Sequence, residues 1–206
     1  HGLPAFVGHR RGARRLHPIL EACYSHGVQV VSVYALSTEN RHSRSRTEVK
    51  LLLDLLASEG QRLVDHLDRA GVRFVHSGER QDLPATAGDF LQQAADQTRD
   101  NGPQVFNLAF NYGGRAELVR ACRRLLAEGI APEAIDESHI TAQLYTAGLP
   151  DMDLVLRTGG DNRLSNFFPW QCNQARLYIT DTYWPALSVS ELAMALHTPQ
   201  ETQNAG

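Results

Sequence analysis

Cysteine is scarce in this 206-residue chain, with only Cys23, Cys122 and Cys172, and their odd number and wide spacing exclude a disulfide framework and a clustered cysteine metal site. That usage fits a reducing, cytoplasmic compartment. No apolar run approaches the roughly 18 residues that a membrane-spanning helix needs, and no signal peptide is visible. A basic excess is missing as well: the formal net charge of -3 argues against a general nucleic-acid binder. The chain opens on His1 with no initiator Met, which reads as part of a longer product. Against these absences stand 42% hydrophobic and 21% charged residues, the composition of a globular protein whose length favours one domain, 1–206, over two.

Short apolar runs alternate with helical patterns, which implies an α/β fold around a mostly parallel sheet. Strands are expected over 28–35, 72–76 and 104–110, with shorter ones at 154–156 and 177–179. Helices are expected over 16–24, 48–70, 89–99 and 115–128, and a last one, capped by Ser188 or Ser190, runs to about 197. The polar tail 198–206 reads as frayed.

In a doubly wound sheet, ligands bind outside the carboxyl ends of the strands. Three polar clusters fall at such ends: Ser37-Thr38-Glu39-Asn40, Asn111-Tyr112-Gly113-Gly114 and Arg157-Thr158-Gly159-Gly160-Asp161. All three are expected on one rim. The stretch RTGGDNRLSN, 157–166, is the most informative. Its two arginines six apart, paired glycines and Ser165 suit a polyanion, because guanidinium forks bind phosphate oxygens bidentately and glycines let backbone N–H groups approach.

RTGGDNRLSNFFPWQ resembles the carboxyl-terminal signature of the cis-prenyltransferases, the undecaprenyl diphosphate synthase family. GHRRGA from Gly8, YALSTEN from Tyr34, NLAFNYGGR from Asn107 and LYITDTYWP from Leu177 match its other blocks in order. The resemblance implies a homodimer with a central sheet, surrounding helices and a hydrophobic tunnel. It implies allylic diphosphate and isopentenyl diphosphate as substrates, Mg²⁺ as cofactor, and peripheral membrane contact through the product. Arg157, Arg163 and Ser165 are expected to hold the isopentenyl diphosphate. Gly8, His9 and Arg10 are expected near the allylic diphosphate, with His9 assisting proton movement. Ser37 and Asn40 match polar residues beside the reacting groups, Glu48 an acidic residue on the segment that closes the site, and Asn111, Gly113, Gly114 and Arg115 the neighbouring rim. No DDxxD pair, the mark of the unrelated trans-prenyltransferases, is present.

Ionising an allylic diphosphate leaves a carbocation that an apolar wall must shield from water. Val33, Ala35, Phe106, Ala109 and Phe110 are the candidates, and a bulky Phe110 facing the tunnel predicts a short Z-prenyl product. Four departures from the family pattern bear on the first substrate. The Asp-Gly-Asn-Gly-Arg block that carries the metal-binding Asp is expected before His1. Ala5 replaces an arginine, Arg41 an aromatic residue, and Arg176 a metal-binding Glu. Arg176 is expected either to replace the metal's charge opposite a diphosphate or to pair with Asp181. The family's Arg-x-Gly element is also not evident after Leu196. Irregular coupling, terpene cyclisation and a noncatalytic partner subunit are the competing readings.

Overall fold

The computed structural model describes residues 5–43 and 45–198, without the side chains of Ala5, Phe6 and His42. The Ala5 side chain and the expected tail beyond Thr198 therefore lie outside the described residues. Five strands and seven α-helices alternate along the described chain: α1 (Ala5–Ser25), β1 (Val30–Ser37), α2 (Thr38–Ser43), α3 (Arg46–Arg69), β2 (Arg73–Ser77), α4 (Ala85–Gln97), β3 (Val105–Tyr112), α5 (Gly114–Ala127), α6 (Glu137–Gln143), β4 (Leu154–Thr158), β5 (Arg176–Thr180) and α7 (Val189–His197).

β3 is the spine. All eight of its residues are buried, as a central parallel strand covered on both faces requires. It pairs in parallel with β1 on one side, from Val30↔Val105, and with β2 on the other, from Arg73↔Val105. The β1 ladder slips around Ala35, between Tyr34 and Leu36. Such a bulge re-aims side chains at the strand end that leads into Ser37. Phe106, Phe110, Leu108 and Phe74 join Leu52, Val64 and Leu67 of α3 and Leu91 of α4 in the main core. A capping box starts α3, with Ser45 Oγ accepting from Glu48 N at 3.3 Å.

β4 and β5 form a second parallel ladder, from Leu154↔Arg176 to Thr158↔Thr180. The expected parallel sheet is thus present in two parts. Between them lies a cavity of about 590 Å³ lined by the consecutive residues 28–33 of the β1 side and 149–156 of the β4 side. A sheet face would present every second residue, so unbroken lining marks two strand edges that face the same slot.

α1 begins earlier than the pattern suggests. The helix expected over 16–24 extends back to Ala5, although Gly8, Gly12 and Pro18 depress helix propensity. Distant contacts override the propensity. Trp184 Nε1 donates to Gly12 O at 2.9 Å, and Arg15 Nε donates to Leu187 O. Gly12 is needed there, because a Cβ would lie 3.0 Å from the Trp184 ring.

Candidate active site

The three polar clusters do meet at one rim, and Asn166 joins them. Its side-chain amide donates to Glu39 Oε1 at 2.5 Å, and its Oδ1 accepts from Arg115 N at 2.9 Å. Its carbonyl accepts from Gly114 N at 3.0 Å. The loop after β4 is thereby fastened to the start of α2 and the start of α5. Gly113 and Gly114 permit this closeness: a Cβ on Gly113 would collide with Thr38 Oγ1, and one on Gly114 with the Pro169 ring. Partial burial works to raise the Glu39 carboxyl. Hydrogen bonds from its own N–H, Asn166, Thr38 and Ser37 outweigh that effect and hold it below the usual carboxylate range.

Ser37 is buried at the end of β1, where its Oγ accepts from Asn40 N at 2.9 Å and so starts α2. Asn111 is also buried and holds a positive φ of 54°. Its Nδ2 donates to Glu79 O at 2.8 Å, while its Oδ1 is buried without a protein partner.

At the carboxyl end of β4, Arg157 Nη2 donates to Asp161 Oδ2 at 2.6 Å and to Ser165 Oγ at 3.2 Å. Arg163 donates to both oxygens of the same carboxylate, at 2.9 and 3.0 Å. Hydrogen bonds from Arg163 first and Arg157 second hold the Asp161 carboxyl well below the usual range. Two guanidinium groups therefore already converge on an anion, and the Ser165 hydroxyl sits on one of them. The paired glycines serve a different purpose from the one expected. Their N–H groups donate to Thr182 O at 3.0 Å and Thr180 O at 2.9 Å, so they tie the loop to the segment after β5 rather than facing a phosphate. Both have positive φ, 84° and 72°, and a Cβ on Gly160 would lie 2.7 Å from Asp181 Oδ1.

The second half of the site is an apolar cavity of about 610 Å³ between α1, α3 and the ends of β1 and β3. Gly8 and His9 line it from α1, Val33, Tyr34 and Ala35 from β1, and Leu108 and Phe110 from β3. Phe106 and Ala109 do not line it. Phe106 lies one step deeper on the same strand face, against Phe74, and Ala109 points to the opposite face. Tyr34 links the two halves. Its buried phenol is pushed up to about 12, with Ser37 and Arg157 pulling in the other direction. Arg10 leaves this rim to meet Glu59 at 3.4 Å. Glu48 is engaged in the α3 capping box, and Arg41 in a bond to Asp82 O.

The family model described as "Putative undecaprenyl diphosphate synthase" matches residues 1–205. The chain belongs to the undecaprenyl diphosphate synthase family. An isoprenyl transferase of Heliobacterium mobile is 41% identical over 199 residues, 95% of this chain and 76% of that protein. A ditrans,polycis-undecaprenyl-diphosphate synthase, (2E,6E)-farnesyl-diphosphate specific, of Legionella pneumophila (strain Paris) is 34% identical over 95% of this chain and 83% of its own length. The structure of lavandulyl diphosphate synthase from Lavandula x intermedia, in complex with dimethylallyl diphosphate, superposes with a TM-score of 0.86 at 32% identity, covering 95% of this chain and 86% of that one. This chain is accordingly a prenyltransferase of the undecaprenyl diphosphate synthase family, a transferase in isoprenoid biosynthesis.

Members of this family are generally Mg²⁺-dependent, yet the described residues do not assemble a site for the ion. They contain no group of three or more His, Cys, Asp or Glu side chains able to hold a metal. Arg176 opens β5, at the end of the strand opposite Thr180, and its Nη2 donates to Ala195 O at 2.7 Å in the last turn of α7. A cation there complements the helix dipole. Among the described residues no helix is long and apolar enough to cross a membrane. Two site residues escaped the sequence reading as individuals, Asn166 and Asp161. Both stand inside the quoted RTGGDNRLSN stretch, but nothing in the spacing marks the positive φ of 63° that turns Asn166 toward Glu39.

Proposed function

We propose that this chain condenses an allylic diphosphate with isopentenyl diphosphate to give a short Z-prenyl diphosphate. The observation that carries this reading is an arginine pair with Ser165 at the carboxyl end of β4 and an apolar cavity at the end of β1, with Tyr34 lining that cavity and interacting with the charge of Arg157. In this reading Arg157, Arg163 and Ser165 receive the diphosphate of isopentenyl diphosphate. Their charge and hydrogen bonds fix the homoallylic double bond beside the allylic carbon. The allylic hydrocarbon lies in the cavity, whose wall excludes water as positive charge develops on that carbon. A new carbon–carbon bond forms there as the allylic C–O bond breaks and releases diphosphate, and a proton is lost from the isopentenyl unit. His9 lines the cavity mouth and is assigned to that proton movement; Ser37 and Asn40 order the strand end beside it.

The cavity volume supports a short product. A cavity of about 150 Å³ takes one benzene-sized group, so one of this size holds roughly four five-carbon units. Phe110, 2% exposed, occupies the cavity wall where a smaller side chain would leave more room. The cytoplasmic location and the homodimer belong to the same reading. Leu177 and Ile179, 42% and 41% exposed, share one face of β5 and offer apolar surface to a second copy. Irregular coupling and cyclisation have no support from the curated relatives. The intact Arg157–Arg163–Ser165 cluster argues against a noncatalytic partner subunit.

Incorporation of labelled isopentenyl diphosphate onto dimethylallyl, geranyl or farnesyl diphosphate tests the reading. Chain extension with any of them supports it, and no extension with all three contradicts it.

A further inference from the structure

One wall of the apolar cavity carries a charge that a hydrocarbon tunnel does not need. Glu59 lines the cavity from α3 with its side chain only 17% exposed. Two arginines flank it: Arg10 of α1 at 3.4 Å and Arg62 of α3 at 3.6 Å. Such partners offset the cost of taking a mostly buried carboxylate out of water. On the far side of this cluster lies a second, smaller cavity of about 340 Å³, lined by Arg10, Leu51, Asp54 and Ser58. The two cavities share His9, Leu55, Glu59 and Arg62 as their common wall. The Arg10–Glu59 bridge is therefore a cross-tie between α1 and α3, set where one apolar space would otherwise run into the next.

We propose that Glu59, held between Arg10 and Arg62, is a length-determining residue of the prenyl product. The inference rests on the prenyl-transfer reading above. A chain that fills the larger cavity can grow further only by parting α1 from α3 at this seam. Doing so drives hydrocarbon between a mostly buried carboxylate and its guanidinium partners and breaks the ion pair. Growth therefore stalls at the seam, and release competes with the next addition. Removing the carboxylate leaves Arg10 and Arg62 free to turn toward solvent, since both are already half-exposed or more. The wall then loses its ion pair, and the second cavity opens to the first.

The test is the product distribution of Glu59→Gln and Glu59→Leu at fixed allylic and isopentenyl diphosphate concentrations, resolved by mass spectrometry. Glu59→Gln keeps the side-chain volume, and a thermal melt superimposable on wild type shows that it folds. The expected result is a main product longer by at least one isoprene unit in both variants. An unchanged or shortened distribution in a folded Glu59→Gln overturns the proposal. Failure of the wild-type protein to incorporate isopentenyl diphosphate contradicts the prenyl-transfer reading instead, and with it the premise of the seam.

Discussion

The Asn166 side-chain amide donates to Glu39 Oε1 at 2.5 Å, joining the loop after β4 to the first turn of α2, 127 residues away in sequence. The same side chain accepts from Arg115 N, so one residue locks three strand ends into a single rim. Asn166→Gly isolates these bonds, because glycine adopts the positive φ of this position without strain. The expected outcome is a fall in kcat/KM of about tenfold, on the order of one lost positioning interaction. Thermal stability should drop only slightly. Unchanged steady-state kinetics would remove Asn166 from the account of the rim.

Arg163 makes its visible contacts only with Asp161 and stands largely in solvent. It is therefore free to exchange that carboxylate for a diphosphate. Arg163→Ala should raise KM for isopentenyl diphosphate by roughly tenfold or more, with a smaller change in KM for the allylic substrate. Equal effects on both substrates would show that the arginine does not discriminate between their sites.

Phe110 belongs at once to the main core and to the cavity wall. Phe110→Ala should lengthen the product and also lower the unfolding free energy by about 3–5 kcal/mol, the usual cost of emptying a buried aromatic site. Denaturant titration and product analysis on the same preparation check both halves. A destabilised enzyme with an unaltered product would place Phe110 in the core alone.

His76 sits under the site, with its Nε2–H donating to Phe110 O at 2.8 Å. Burial pushes its pKa down to about 4 from an ordinary 6.5, opposed by the bond to Phe110. The unfolded chain takes up a proton between those values and the folded chain does not. Stability contributed by the neutral ring is therefore full above about pH 6.5 and is lost as the pH falls toward 4, by on the order of 3 kcal/mol. Urea unfolding at a series of pH values should show this slope in the wild type and a flatter one in His76→Gln. Parallel slopes in the two proteins would rule the histidine out as its source.

Much of this architecture could be read from the chain because β3 is mostly apolar and each rim cluster follows a β-branched or apolar run. The carboxyl-end rule then brought Ser37, Asn111 and Arg157 together without a structure. The start of α1 was not legible, since the contacts that fasten Gly12 and Arg15 come from Trp184 and Leu187, 172 residues away in each case. Nor could spacing show which way a loop N–H points. Gly159 and Gly160 looked like a phosphate cradle, and their N–H groups are spent on Thr182 and Thr180. Depth along a strand was equally invisible: Phe106 and Phe110 share a face, but only the latter reaches the cavity. Asn166 was hidden for a related reason, its role depending on backbone handedness rather than on residue type.

The central claim is that an arginine-lined diphosphate site feeds an apolar cavity that extends a prenyl chain by a few units. Its most direct test is mass spectrometry of the products formed from an allylic diphosphate, dimethylallyl to farnesyl, and excess isopentenyl diphosphate, with and without Mg²⁺. The account predicts head-to-tail prenyl diphosphates with Z double bonds in the added units, ending at roughly 20 carbons. Products of bacterial-carrier length, or products formed without consuming isopentenyl diphosphate, would contradict it.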